Sequence, residues 1–402
     1  MTGWRTATIG GACTVFSGGT PSKENADYWR GPIPWVSAKD LKADRIFDAE
    51  LHISQQACEE SAAKMAPIGS LLMLVRGMGL ANGIQIGEVF SPVAFNQDLR
   101  AIVPPPTVDS RFLLLALRYR LADGGKGVLS SAAHGTLKID ADALRRVEFP
   151  VPPLQEQRRI VAILDEAFKG LATAKANAEK NLHSAAELQN ALGEECFDEH
   201  VDADFNPTAL ENLCELIVDC EHKTAPTQEL GFPSIRTPNI GKGMLLLDDV
   251  NRVSEETYKA WTRRAEPLPG DLILAREAPA GNVAVIPAGL KVCLGQRTVL
   301  IRPRREVFEP EYLCHLLLQR SSQARLLAHS RGATVQHINM KDIRAFMISH
   351  VPALGVQRRV VNRLAGIEEQ GRSLTALQSR KLAAFDELKR SLLHQAFSGG
   401  LP

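Results

Sequence analysis

The stretch Gly18-Gly19-Thr20-Pro21-Ser22-Lys23 packs two glycines, a proline, two hydroxyls and a cation into one short segment. Such a loop could offer backbone N–H groups and an ammonium to a phosphate, or side chains to base edges. It could equally be a tight turn joining two strands. Arg76 and Arg276 each close an apolar run, Leu71 to Val75 in one case and Leu272 to Ala275 in the other. An arginine at a strand end can fork onto guanine O6 and N7, or hold a salt bridge inside its own domain. Gln97 and Gln296, the latter beside Arg297, have the amide that pairs with adenine, or are polar loop residues. In the second half, Glu221-His222-Lys223 is a better polar candidate than Arg276.

Other chemistries lack residues. Cys214, Cys220 and His222 give a C-x5-C-x-H spacing with no second pair, so no zinc site is expected. Gly124-Gly125-Lys126-Gly127 is not a phosphate loop, because no glycine stands five before Gly125 and no Ser or Thr follows Lys126. There is no glycine-rich dinucleotide fingerprint after a strand. There is also no Asn-Pro-Pro-aromatic string; Asn206-Pro207-Thr208 reads as a helix exit. No catalytic residue, metal or cofactor is expected.

The elements that must position these side chains occur twice. Val151-Pro152-Pro153-Leu154-Gln155-Glu156-Gln157-Arg158-Arg159 returns as Val351-Pro352-Ala353-Leu354-Gly355-Val356-Gln357-Arg358-Arg359, 200 residues on. Leu72, Leu74 and Arg76 match Leu272, Leu274 and Arg276 at the same step. Pro34 and Pro233, Gln97 and Gln296, and Ile102 and Ile301 match at 199. Gly135-Thr136 has a looser echo in Gly332-Ala333-Thr334. So many marks in one order mean an internal duplication.

After each proline mark the chain reads as a long helix. Leu154 to Asn206 has no proline between its ends and repeats apolar residues at helical steps, from Ile160 and Leu164 to Leu188 and Leu192. The second runs from Leu354 to Phe397 and stops at Ser398-Gly399-Gly400. Taken as roughly 43 residues each, the helices are about 65 Å long at 1.5 Å per residue, and a striped helix of that length needs a partner. Residues 151–205 carry 5 Lys/Arg against 11 Asp/Glu, and 351–402 carry 8 against 4, so the two helices are expected to pair with each other. Residues 1–150 and 206–350 hold short β-like runs: Leu71 to Val75, Ile84 to Val89, Leu99 to Val103, Leu272 to Ala275, Val283 to Ile286 and Thr298 to Ile301. A helical stretch follows in each, Ser110 to Leu121 and Pro310 to Ala328.

The 402 residues suit two or three domains with their own cores. A net charge of +1 places any basic DNA-binding surface in a local patch. Seven irregularly spaced cysteines, the lack of a spanning apolar run and the lack of a basic-then-apolar leader point to the cytoplasm and away from a membrane.

The chain resembles the specificity subunit of type I restriction-modification systems over essentially its whole length. The resemblance is carried by Gly18 to Lys23, Tyr28-Trp29, Gly31, Ile33-Pro34-Trp35 and Lys39-Asp40-Leu41, with the domain exit Pro152-Pro153-Leu154-Gln155-Glu156-Gln157. It implies an α+β fold with a pseudo-two-fold internal repeat. Target-recognition domains at 1–150 and 206–350 would be separated by a central helix, 151–205, and a C-terminal helix, 351–402, packed as an antiparallel coiled coil. It further implies a non-catalytic chain that reads an asymmetric bipartite site in double-stranded DNA, docks two methyltransferase subunits and is joined by restriction subunits.

The DNA-facing candidates are then Gly18, Gly19, Thr20, Ser22, Lys23, Arg76 and Gln97 in the first half. In the second they are Glu221, His222, Lys223, Arg276, Gln296 and Arg297. The second half departs from the pattern, with Asp219-Cys220-Glu221-His222-Lys223-Thr224-Ala225-Pro226 in place of the glycine loop and Val356 opposite Glu156. Two unlike domains imply two unlike half-sites. The other readings are a protein-interaction scaffold without DNA contact and a fused nuclease or methyltransferase, the latter without motifs.

Overall fold

A computed structural model describes residues 4–122, 127–131, 137–198, 206–328, 337–398 and 400. Gly135-Thr136, its echo Gly332 to Thr334, and Gly124 to Lys126 lie outside the described residues. The chain forms two compact units, Met1–Glu179 with Ser379–Pro402, and Lys180–Gln378. Each unit combines one mixed domain with half of each long helix.

In unit 1 the central sheet contains β1 (Thr14–Ser17), β2 (Leu71–Leu74) and β3 (Leu99–Val103), with β3 between the other two and antiparallel to both. The side chains of β2 are all fully buried, which is why this strand reads as an unbroken apolar run rather than an alternating one. The helix Ser110–Arg120 packs its Phe112, Leu113 and Leu117 into the same core. Unit 2 repeats the arrangement with β4 (Cys214–Asp219), β5 (Leu272–Ala275) and β6 (Thr298–Pro303), and β6 is central. The expected single helix over Pro310 to Ala328 is two, Pro310–Leu318 and Arg320–Leu327. The chain turns out of the helix at Gln319, whose ψ is 145°, and the Gln323 amide caps the freed Leu317 carbonyl at 2.7 Å.

The long helices are α1 (Leu154–Asp198) and α2 (Leu354–Ser398). They run antiparallel in each unit. In unit 1 Lys175 pairs with Asp386 at 3.2 Å and Lys389 lies over the Phe168 ring, so numbers rise on one helix as they fall on the other. In unit 2, Gly193 approaches Leu364 and Gly371 approaches Gln189. The Lys175 pair takes its cation from the net acidic helix, so bulk charge did not identify the pairing residues. Each domain also receives an aromatic from a helix C-terminus. Phe397 packs on Phe112 at 5.4 Å, and Phe197 on Tyr312 at 5.2 Å.

The duplicated proline mark has a structural explanation in its glutamine. Gln157 is fully buried; its Oε1 accepts from Asp109 N at 2.8 Å, and its Nε2 donates to Thr107 O at 3.0 Å and Pro152 O at 2.8 Å. Gln357 repeats this with Glu309 N at 2.9 Å, Val307 O at 2.8 Å and Pro352 O at 2.7 Å. One amide thus ties the start of a long helix to the start of the domain helix, using both its donors and its acceptor.

Candidate nucleic-acid interface

The polar candidates gather at one end of each central sheet, where β1 or β4 leaves it. In unit 1 the glycine loop is held against the domain by backbone contact. Gly19 N donates to Phe95 O at 3.0 Å. A Cβ on Gly18 would stand 2.1 Å from the Phe95 carbonyl oxygen, and one on Gly19 would stand 2.1 Å from that of Ala62. Trp35 Nε1 donates to Gly19 O and Trp29 Nε1 to Ser22 O, both at 3.0 Å, with the two indoles 5.1 Å apart edge to face. The spaced tryptophans therefore set the loop's shape. What the loop presents outward is Thr20, Ser22 and Lys23, half-buried in the first case and exposed in the other two.

Thr20 Oγ1 donates to Gln97 Oε1 at 2.5 Å, joining two candidates that are 77 positions apart. Beneath them Arg100 Nη1 donates to Ser17 Oγ at 2.8 Å and to Gln97 O at 3.1 Å. Burial, and then the neighbouring Arg76 guanidinium, hold the Arg100 pKa below its ordinary value. Arg76 itself is exposed and bridges the strand that carries Lys138. Arg76 and Arg100 thus lie near one another beside Gln97, with the Asp98 carboxylate partly offsetting their charge.

Arg76 and Arg276 do not occupy equivalent places, although 200 residues separate them. Leu74 pairs with Leu99, and Ala275 pairs with Thr298. Val75 N then donates to Asp98 O while Arg276 N donates to Arg297 O, and Ile139 N donates to Val75 O while Ile338 N donates to Arg276 O. Val75 is the counterpart of Arg276, and Arg76 that of Glu277. A one-residue shift in a strand moves a side chain to the other face. It explains why Arg76 is exposed while Arg276 is 8% exposed. On the same register Ser17 corresponds to Asp219, because Arg100 faces Ser17 and Val299 faces Asp219.

Arg276 is occupied inside unit 2. Its Nε donates to Ile338 O at 2.9 Å, its Nη1 to Asp219 Oδ2 at 2.7 Å and its Nη2 to His337 Nε2 at 3.0 Å. His337 Nε2 accepts that bond, so its Nδ1 carries the proton and donates to Glu277 Oε1 at 3.1 Å. Glu277 Oε1 also takes Arg297 Nη1 at 3.0 Å, and Asp219 Oδ2 lies 3.4 Å from His222 Nε2. A continuous polar chain runs from exposed His222 through buried Arg276 to exposed Arg297. Glu221 pairs with Arg264 at 3.5 Å; Lys223 is exposed, and Gln296 is half-buried beside Arg297. All three Arg276 nitrogens are thus engaged inside the unit, and its guanidinium orders the side chains around it.

Sequence spacing does not point to Ser17, Arg100, Asp219, Glu277 or His337. Asp219 directly precedes the Cys220-Glu221-His222 string, and that adjacency was the available signal. Cys214 and Cys220 sit in separate core clusters, with burial raising the Cys214 thiol to about 12, while His222 is on the surface. Among the described residues no three His, Cys, Asp or Glu side chains converge as metal ligands.

The family model described as "Type I restriction modification DNA specificity domain" matches residues 1–181 and 231–379. The chain belongs to that family. Within this specificity family it is similar to the Type I restriction enzyme EcoR124I/EcoR124II specificity subunit of Escherichia coli, with 30% identity over 40% of each chain. It is also similar to the Type I restriction enzyme MjaIX specificity subunit of Methanocaldococcus jannaschii, with 25% identity over 61% of this chain and 60% of the relative. The matches thus span 40% and 60% of those relatives' lengths.

Among solved structures, the HsdS subunit from Thermoanaerobacter tengcongensis shares the fold with a TM-score of 0.60, 19% identity and coverage of 100% of this chain and 98% of that one. A chain from work on complex assembly and conformational transition of the type I R-M system gives a TM-score of 0.74 at 20% identity, covering 100% and 99%. No helix among the described residues is long and apolar enough to cross a membrane.

Proposed function

We propose that this specificity-family chain reads a split, asymmetric DNA target, one half-site per unit, and performs no chemistry itself. The sheet corner bearing Thr20, Gln97 and Arg76 would enter the major groove at one half-site. That bearing His222, Gln296 and Arg297 would enter at the other. The long helices would fix the spacing and dock two methyltransferase subunits, with restriction subunits joining that core in the cytoplasm. All seven cysteines are free thiols, which suits that reducing compartment.

The observation that carries the reading is a pair of equivalent sheet corners with different polar side chains on one shared frame. A frame kept twice with its outward groups changed is what two readers of different sequence require. The test is selection of bound duplexes from a randomised pool by the full chain with its methyltransferase partner. Enrichment of two unlike short motifs with unspecified bases between them is expected. One continuous motif would contradict the split target, and no enrichment would leave the chain as a scaffold without DNA readout.

A further inference from the structure

Unit 2 has a side chain that its own backbone resists. Arg297 has φ 66°, in the left-handed region; Asp249 is the other non-glycine residue there among the described residues. An L-residue with a Cβ is disfavoured in that conformation and glycine is not. Asp98, the counterpart of Arg297 in unit 1, does not adopt it. Glycine would hold this turn without strain, so the arginine is present for what its guanidinium does.

Its surroundings indicate the ligand. Glu277 Oε1 anchors Nη1 at 3.0 Å and is itself held by His337, which is held by buried Arg276. The rest of the guanidinium is free to point outward, since the side chain is 54% exposed. Glu277, Asp219 and Glu221 all lie along the same polar chain and its Arg264 branch. The Glu277 carboxylate offsets the Arg297 charge, which weakens its pull on an anionic phosphate more than on a neutral base edge. The remaining donors form a planar fork, which matches the paired acceptors of guanine O6 and N7.

We propose that Arg297 is the specificity-determining residue of unit 2, aimed by Glu277 at the major-groove edge of one guanine. This rests on the DNA-recognition reading and sharpens it. In unit 1 the charges are exchanged, with Arg76 opposite Glu277 and Asp98 opposite Arg297, so the corresponding cation there stands at the other strand end.

The experiment uses the full chain with its methyltransferase partner in cells, with methylated positions mapped genome-wide and the salt dependence of DNA binding measured in vitro. Arg297→Gly removes the guanidinium and relieves the backbone, so its melting temperature should equal or exceed that of the parent. Discrimination should fall about 10- to 100-fold at one guanine of one half-site, with every other position kept. Arg297→Lys, which keeps the charge and loses the fork, should relax the same position. Glu277→Gln should relax it less.

An unchanged target in Arg297→Gly overturns the assignment. A uniform loss across all sequences with a shallower salt dependence also overturns it, since that marks a phosphate contact. If the parent chain shows no sequence preference, the DNA-recognition reading falls and the Arg297 assignment falls with it.

Discussion

After its buried central strand, unit 1 places Val75 where unit 2 places Arg276, and both are under a tenth exposed. The surroundings match to the level of individual backbone bonds, yet one site holds an isopropyl group and the other a guanidinium with three partners. The polar network of unit 1 is built from the neighbouring strand instead, with Arg100 reaching Ser17 where Arg276 reaches Asp219. The junctions with the long helices differ in the same way. In unit 1 Arg111 bridges Asp165 at 2.7 Å and Asp44 at 3.1 Å, while in unit 2 His315 stands 3.9 Å from Glu368. Backbone frame and side-chain chemistry are therefore separable in this architecture, which is what the proposed reading of two unlike half-sites requires.

The glutamine clamps belong to the shared frame, so breaking either should have the largest effect and the same size in both units. Gln157→Leu and Gln357→Leu each leave three backbone groups without their partner, one of the bonds buried and two part-buried, a loss of about 2–4 kcal/mol. Hydrogen exchange should locate the loss of protection in unit 1 for the first variant and in unit 2 for the second. Protection unchanged in both would show that the clamp is ornamental.

Arg276 and Arg76 then separate the two units. Arg276→Met strands Asp219 and should destabilise unit 2 by about 3 kcal/mol in denaturant unfolding. Arg76→Ala should change stability by less than about 0.5 kcal/mol, since the side chain is exposed. It should nevertheless alter the DNA preference of one half-site. Equal destabilisation by both variants would restore the 200-residue equivalence.

The smallest effect is in acid. Burial lowers the His315 pKa below its ordinary 6.5, with Glu368 and Glu311 opposing. The folded form therefore resists a proton that the unfolded form accepts. Its contribution is fully present above pH 6.5 and is lost as pH falls toward the folded value. Burial also raises Asp44, but the Arg118 and Arg111 guanidiniums more than reverse this and hold it below 3.8. That contribution is present above 3.8 and is lost only as pH falls through the lower folded value. Limited proteolysis from pH 7 downward should open unit 2 before unit 1, and His315→Leu should remove the difference.

The long helices, the duplication and six strands, three in each domain, were legible in the sequence because each leaves a periodic, apolar or spaced mark, whereas Thr14–Ser17 and Cys214–Asp219 were not. Leu99–Val103 and Leu272–Ala275 fall where their apolar runs end. The break at Gln319 was not legible, because the Gln323 amide that supports it becomes a cap only once the chain has turned. Gln157 and Gln357 could be seen as a repeated mark but not as clamps, since their partners lie about 50 positions upstream. The candidate site was half legible. Thr20 and Gln97 are joined by a hydrogen bond that their spacing does not show, and counting 200 residues from Arg76 lands one position short of its structural counterpart, Glu277. Only strand pairing reveals that slip, and with it the roles of Asp219, Glu277 and His337.

The central claim is that each unit reads its own half of the target. The most direct measurement exchanges residues 1–150 for the matching domain of a family member and maps methylated positions in cells carrying the parent and the exchanged chain. The parent should show two unlike half-sites, and the exchanged chain should keep one and replace the other. A change in both halves, or in neither, would contradict the account.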